Sequence, residues 1–168
     1  MKNTLLISFI LIIIYSCSDK GTDPKEFDPV LSFSPETTAI TSGGQAEIDL
    51  KITDFKTEIF AVSMQIKFNH NILWFDENSG FSTGDLFGSS AVTFIKYHEN
   101  KIYLTVSLLQ GTQPLEGSGT LGTFIFGGRA AGSSFVEAVA AELLFYDESG
   151  NFVDVPNLSL VSSIINVN

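Results

Sequence analysis

The sequence predicts an all-β domain, an antiparallel two-sheet sandwich of about nine strands with jelly-roll topology. Three observations carry that expectation. Apolar and polar residues alternate with period two from Val30 onward. Turn-forming clusters punctuate the alternation at Ser42-Gly43-Gly44, Asn78-Ser79-Gly80, Glu99-Asn100, Gly127-Gly128 and Ser149-Gly150-Asn151. No stretch carries a helical apolar stripe longer than two turns; the Ala-rich run from Val136 to Leu144 alone is ambiguous.

Taken in order, the first element is an address. Lys2 precedes an almost unbroken aliphatic run from Leu5 to Ile14, too short to span a bilayer comfortably and fitting a signal-peptide core. The run ends in Ile14-Tyr15-Ser16-Cys17, which resembles a bacterial lipobox, with Tyr15 bulkier than usual and Ile14 in place of the commoner Leu. The resemblance implies cleavage before Cys17, acylation of that residue and attachment to the bacterial cell envelope; ordinary secretory cleavage leaving a free thiol is the alternative. Several acyl chains would anchor the protein stably where one holds only marginally. Residues 1–16 are thus read as a lipoprotein signal peptide and residues 17–29 as acylated Cys17 with a polar tether containing Gly21, Pro24 and Pro29. Extended, such a tether reaches roughly 40 Å at about 3.3 Å per residue.

Residues 30–168 are read as the sandwich. Ala46, Ile48, Leu50 and Ile52 alternate with polar neighbours, as do Val62, Met64, Ile66 and Phe68, and again Ile102, Leu104, Val106 and Leu108. Each run has one face for a core and one for water. Further strands are expected over Leu31–Ser34, Leu73–Phe75, Ala91–Tyr97, Thr120–Phe126, Phe135–Val139, Leu143–Tyr146 and Leu160–Val167.

Composition narrows the function. The 168 residues hold 9 Lys+Arg against 19 Asp+Glu, net −10, and removal of residues 1–16 takes away Lys2 alone and leaves −11. That balance excludes sequence-independent nucleic-acid binding, which needs cations to displace counterions. A charged fraction of 17% with 15 Phe excludes an acidic disordered chain. With its one Cys, the sequence admits neither an intramolecular disulfide nor a Cys-based zinc site.

The landmarks, in their order, resemble the cohesin domain, the receptor module of cellulosome-type assemblies. Ala61-Val62-Ser63-Met64-Gln65-Ile66-Lys67-Phe68-Asn69-His70-Asn71-Ile72-Leu73 is similar to the family's alternating strand running into an aromatic-Asp-Pro turn. Gly117-Ser118-Gly119-Thr120-Leu121-Gly122-Thr123-Phe124-Ile125-Phe126 is similar to its small-Gly-x-Leu-x-x-Ile-x-Phe strand, and Gly132-Ser133-Ser134 to the opening of the next. The segment Phe145 to Val153 is similar to its penultimate hairpin. The resemblance implies a nine-stranded jelly roll that binds, through one sheet face, a partner carrying a dockerin, with calcium held by the dockerin. It departs at the turn, which is Asn69-His70, and at Ala61 and Ser63, where many members present Asn and Asp. A dockerin of the well-studied type is therefore expected to bind poorly. The sandwich also resembles cellulose-type carbohydrate-binding modules, which keeps a polysaccharide ligand open; a structural envelope lipoprotein with no soluble ligand is a separate alternative.

Candidate partner-binding residues are Ser63, Gln65, Lys67 and Asn69 on the polar side of one strand, with Tyr103 from the polar side of another that also carries Lys101, Thr105 and Ser107. Trp74, the single Trp, is the sixth: outward, it could anchor a protein or stack on a sugar; otherwise it caps the sandwich. Tyr97 carries the same ambiguity. His70 and His98 lack a third ligand at readable spacing, and Asp76-Glu77-Asn78 and Asp147-Glu148 lack calcium-loop spacing, so no metal or cofactor is expected. No nucleophile elbow, His-Glu-x-x-His or phosphate loop is present, and the chain is read as a non-enzyme.

Overall fold

The computed structural model describes residues 28–168. The signal peptide, Cys17 and all of the tether but Asp28 and Pro29 lie outside the described residues. In chain order the strands are β1 (Val30–Ser34), β2 (Thr37–Ile40), β3 (Gln45–Ile59), β4 (Ala61–Lys67), β5 (Leu73–Phe75), β6 (Phe81–Thr83) and β7 (Ala91–His98). There follow β8 (Lys101–Leu108), β9 (Leu115–Gly128), β10 (Gly132–Ala138), β11 (Leu144–Tyr146), β12 (Phe152–Val153), β13 (Ser159–Val161) and β14 (Ser163–Val167). Single 3-10 turns occupy Gly88–Ser90 and Ala140–Glu142, and the second divides the Ala-rich run into β10 and β11.

The strands form two packed sheets, as predicted. One runs β13-β1-β3-β9, with β5 and β6 both on the far edge of β9. The other runs β7-β8-β4 and continues through β10 to β14 and β2; β11, carrying β12, shares the outer edge of β4 with β10. Pairing is antiparallel except at two sheet edges, where β1 lies parallel to β13 and β2 parallel to β14. These exceptions have one cause: the first and last segments run side by side and change sheets together. The single strand expected over Leu160–Val167 therefore breaks at Ser162. A pair of hydrogen bonds pins the double crossing: the buried Ser163 hydroxyl donates to the Pro35 carbonyl at 2.6 Å, and Ile164 N–H donates to the Glu36 carbonyl at 2.8 Å.

Alternation places the core as expected. Ala46, Ile48, Leu50 and Ile52 of β3, Val62, Met64 and Ile66 of β4, and Ile102, Leu104 and Val106 of β8 are all buried. The strand β3 outruns its predicted end because Asp54, at φ 56°, absorbs a register shift that returns Phe55 and Ile59 to the interior. Between the sheets lies a column of aromatic rings. Phe124 is fully buried, with ring centroids 4.8 Å from Phe81, 6.1 Å from Phe126 and 6.2 Å from both Phe33 and Phe75. Phe68, at the end of β4, stacks on Tyr97 at 5.7 Å and meets Phe126 edge-on at 5.2 Å. Tyr97 thus faces the core, and its ring joins one sheet to the other.

A carboxylate closes the open side. Glu77, in the loop after β5, reaches the edge of β7 and accepts the Tyr97 N–H at 3.0 Å and Lys96 Nζ–H at 2.9 Å. Close by, the hydroxyls of Thr83 and Thr93 meet at 3.0 Å. The Tyr97 amide, then the Lys96 ammonium, hold the Glu77 carboxyl below its ordinary value of 4.5. Asp76 is lowered likewise, chiefly by the Asn78 amide, and Asp147 by the Asn151 side chain and amide.

Three outcomes follow from this packing. Phe124→Ala should lower unfolding free energy by about 3–5 kcal/mol in urea titration, the cost of a large buried cavity. Ser163→Ala should cost about 1–3 kcal/mol by the same measurement, because it strips the Pro35 carbonyl of its donor. A lowered carboxyl stabilises the fold fully above its unfolded value and loses that contribution as pH falls through the folded one. Wild type should therefore exceed Glu77→Gln in melting temperature at pH 7, and the two should converge as the pH falls well below 4.5.

Candidate functional site

Because β4, β7 and β8 bury one phase of their alternation, the other phase forms a continuous outer face. The register across β7, β8 and β4 arranges it in rows. Val92, Ser107, Ala61, Tyr146 and Phe152 form the first row, and Phe94, Thr105, Ser63 and Leu144 the second. Lys96, Tyr103 and Gln65 form the third, and His98, Lys101, Lys67 and Glu137 the fourth. Apolar side chains thus gather at one end of the face and cations at the other.

The middle is shallow because its residues are small. Ser63 and Thr105 lie opposite each other with their hydroxyl oxygens 3.1 Å apart, beside Ala61 and Ser107. Around this floor stand larger side chains: Phe94, 67% exposed, on one side, and Leu144 on the other. Phe152 is 72% exposed and packs on Tyr146 with ring centroids 5.2 Å apart. A groove of about 380 Å³ lies over Ser63 and Thr105, reaching Gln65 and Tyr103 and bordered by Phe94, Leu144 and Glu142. Gln65 Oε1 is enclosed and accepts no hydrogen bond among the described residues. Large apolar groups left in water, next to small hydroxyl residues, suit a surface that is covered by another molecule.

The structure gathers Ser63, Gln65, Lys67 and Tyr103 on this face and places two other candidates elsewhere. Asn69 lies past the end of β4, where its side chain accepts the Asn71 N–H at 3.0 Å and its carbonyl accepts the amides of Ile72 and Leu73. Its own amide donates to the Ser134 hydroxyl at 2.9 Å, so the residue organises the turn into β5. Trp74 is on the other sheet, opposite Gly127, half-buried with its indole lying against that glycine. Any Cβ at position 127 would collide with the indole, which is why glycine stands there. Cys17 lies outside the described residues. His98 meets Glu99 at 3.4 Å on the exposed hairpin tip, and among the described residues no three His, Cys, Asp or Glu side chains converge as metal ligands.

Phe94, Leu144 and Phe152 escaped the sequence reading. In Ala91–His98 both phases are apolar, Val92 and Phe94 against Ile95 and Tyr97, so periodicity alone could not tell the inward side. Phe152 sits in a strand of two residues, too short to show a period.

No protein-family model and no curated protein sequence matches the chain. Solved structures do. CaCohA2 from Clostridium acetobutylicum superposes with a TM-score of 0.66 at 18% identity, over 86% of this chain and 93% of that one. A non-cellulosomal cohesin from the archaeon Archaeoglobus fulgidus gives 0.66 at 14% identity, over 84% and 92%. The third cohesin of ScaC from Acetivibrio cellulolyticus, solved in complex with the ScaB dockerin, gives 0.66 at 17% identity, over 83% and 98%. These superpositions agree with the resemblance read from the sequence, and the chain has the cohesin fold.

Proposed function

We propose that the outer face of β7, β8, β4 and β11 binds a protein partner of dockerin type. On this reading the chain is a non-catalytic receptor module. It is held at the bacterial cell envelope by acylated Cys17, and it serves polysaccharide degradation. One observation carries the reading: the small hydroxyl floor of Ser63 and Thr105 is walled by the exposed Phe94 and Leu144. Such a floor admits a partner's side chains closely, and the apolar walls supply area to remove from water, about 25 cal/mol per Å². The cohesin fold and a solved cohesin–dockerin complex support a partner of that class.

A glycan-binding module using Trp74 is less well supported. The indole stands on the other sheet, with Gly127 and then Gln45 across the register rather than a row of rings. Polysaccharide binding lost on Trp74→Ala would restore it.

The experiment is a titration of the immobilised full chain with a panel of purified dockerins, with and without calcium. At least one should bind, and Ser63→Arg, which fills the floor, should weaken it by about a hundredfold, some 2.7 kcal/mol. Phe94→Ala should cost about tenfold, within the range of interface anchors. Failure of every dockerin, or binding indifferent to Ser63→Arg, would contradict the proposal.

A further inference from the structure

The folded domain places its few cations in an unfavourable way. Its basic residues are Lys51, Lys56, Lys67, Lys96, Lys101 and Arg129, against 16 acids once Asp19, Asp23 and Glu26 of the preceding segment are set aside from the chain's 19. Three of the six lie on the outer face just described, at one end of it. Within the fourth row Lys101 stands directly opposite Lys67. Like charges directly opposite across a sheet destabilise it, because their side chains start only about 5 Å apart.

The neighbouring carboxylates leave the centre of this row uncompensated. Glu137 pairs with Lys67 at 3.1 Å, and Glu77 with Lys96 at 2.9 Å while also holding the Tyr97 amide. Glu99 meets His98 at 3.4 Å. Lys101 receives no carboxylate among the described residues. An acidic chain could put a carboxylate there by a single substitution, and instead the row concentrates positive charge beside a polar and apolar groove.

From this geometry we infer the polarity of the partner: it brings carboxylates to the Lys101–Lys67 end of the face and aliphatic or aromatic side chains to the Phe94–Leu144 end. The inference rests on the reading of this face as the partner-binding surface and adds to it a charge class and a direction. The Lys101–Lys67 repulsion is relieved when the partner's carboxylate arrives between them. The contact also fixes orientation, since a partner turned end for end would set its acids against Phe94 and its apolar groups against lysines.

The test uses the full chain and a display library built on the Acetivibrio cellulolyticus ScaB dockerin with its surface positions randomised. Selected clones should be enriched in Asp and Glu, and should lose affinity as salt screens the pairing. Against Lys101→Glu they should bind at least about tenfold more weakly. The same substitution should raise the melting temperature of the free chain by about 1–3 °C, since it turns a repulsive row into an attractive one. That rise also shows the variant to be folded. Clones without acidic enrichment, affinity unchanged in Lys101→Glu, or a lowered melting temperature would each overturn the inference while leaving a dockerin-type partner standing. A library yielding no binder at all would overturn both.

Discussion

The register of β4 against β8 is the constraint on which the rest of the molecule depends. Seven consecutive pairs run without a bulge from Ala61 opposite Ser107 to Lys67 opposite Lys101. Val62, Met64, Ile66, Ile102, Leu104 and Val106 are each at most 2% exposed, so hydrophobic burial locks the inward phase. Because the side-chain period is two, locking one phase locks the other. A slip of β4 by one residue would drive Ser63 and Gln65 into the core and Val62, Met64 and Ile66 into water. The floor of the groove therefore needs no device of its own to hold it in place; its geometry comes from the same ladder that stabilises the sandwich.

Much of this was legible beforehand. The strand Ala61–Lys67 could be read because its apolar residues are spaced by two without exception. The turn between β7 and β8 could be read because Glu99-Asn100 suits a two-residue hairpin, and both residues do take positive φ, 49° and 64°. What failed to show was anything decided by pairing at a distance. Nothing in Leu160–Val167 marks Ser162 as the place where the chain leaves one sheet for the other; that break exists because β1 and β2 cross at the same point. The site divides similarly. Its floor came from alternation, whereas its walls came from β7, whose two phases are both apolar, and from β11, at three residues too short to show a period.

The two sheets also differ in what they show to water. The sheet containing β3 and β9 presents residues such as Glu47, Asp49, Thr123 and Ser82, with the Thr123 hydroxyl donating to Asp49 at 2.8 Å and Trp74 folded down over Gly127. The opposite face leaves Phe94 and Phe152 mostly exposed and sets lysine against lysine. Both features cost the isolated domain stability, and both become favourable once a surface of matching shape and charge lies over them. This asymmetry is what supports the proposal that the β4–β8 face, and not the opposite one, receives a partner.

The most direct measurement is amide hydrogen exchange of the full chain with and without a bound dockerin, resolved by residue. The account predicts added protection along Ala61–Lys67, Val92–Lys96 and Lys101–Ser107, with none at Leu73–Phe75 or on the outer residues of β3. Protection centred on Trp74 and Gly127, with the β4–β8 face unchanged, would contradict it.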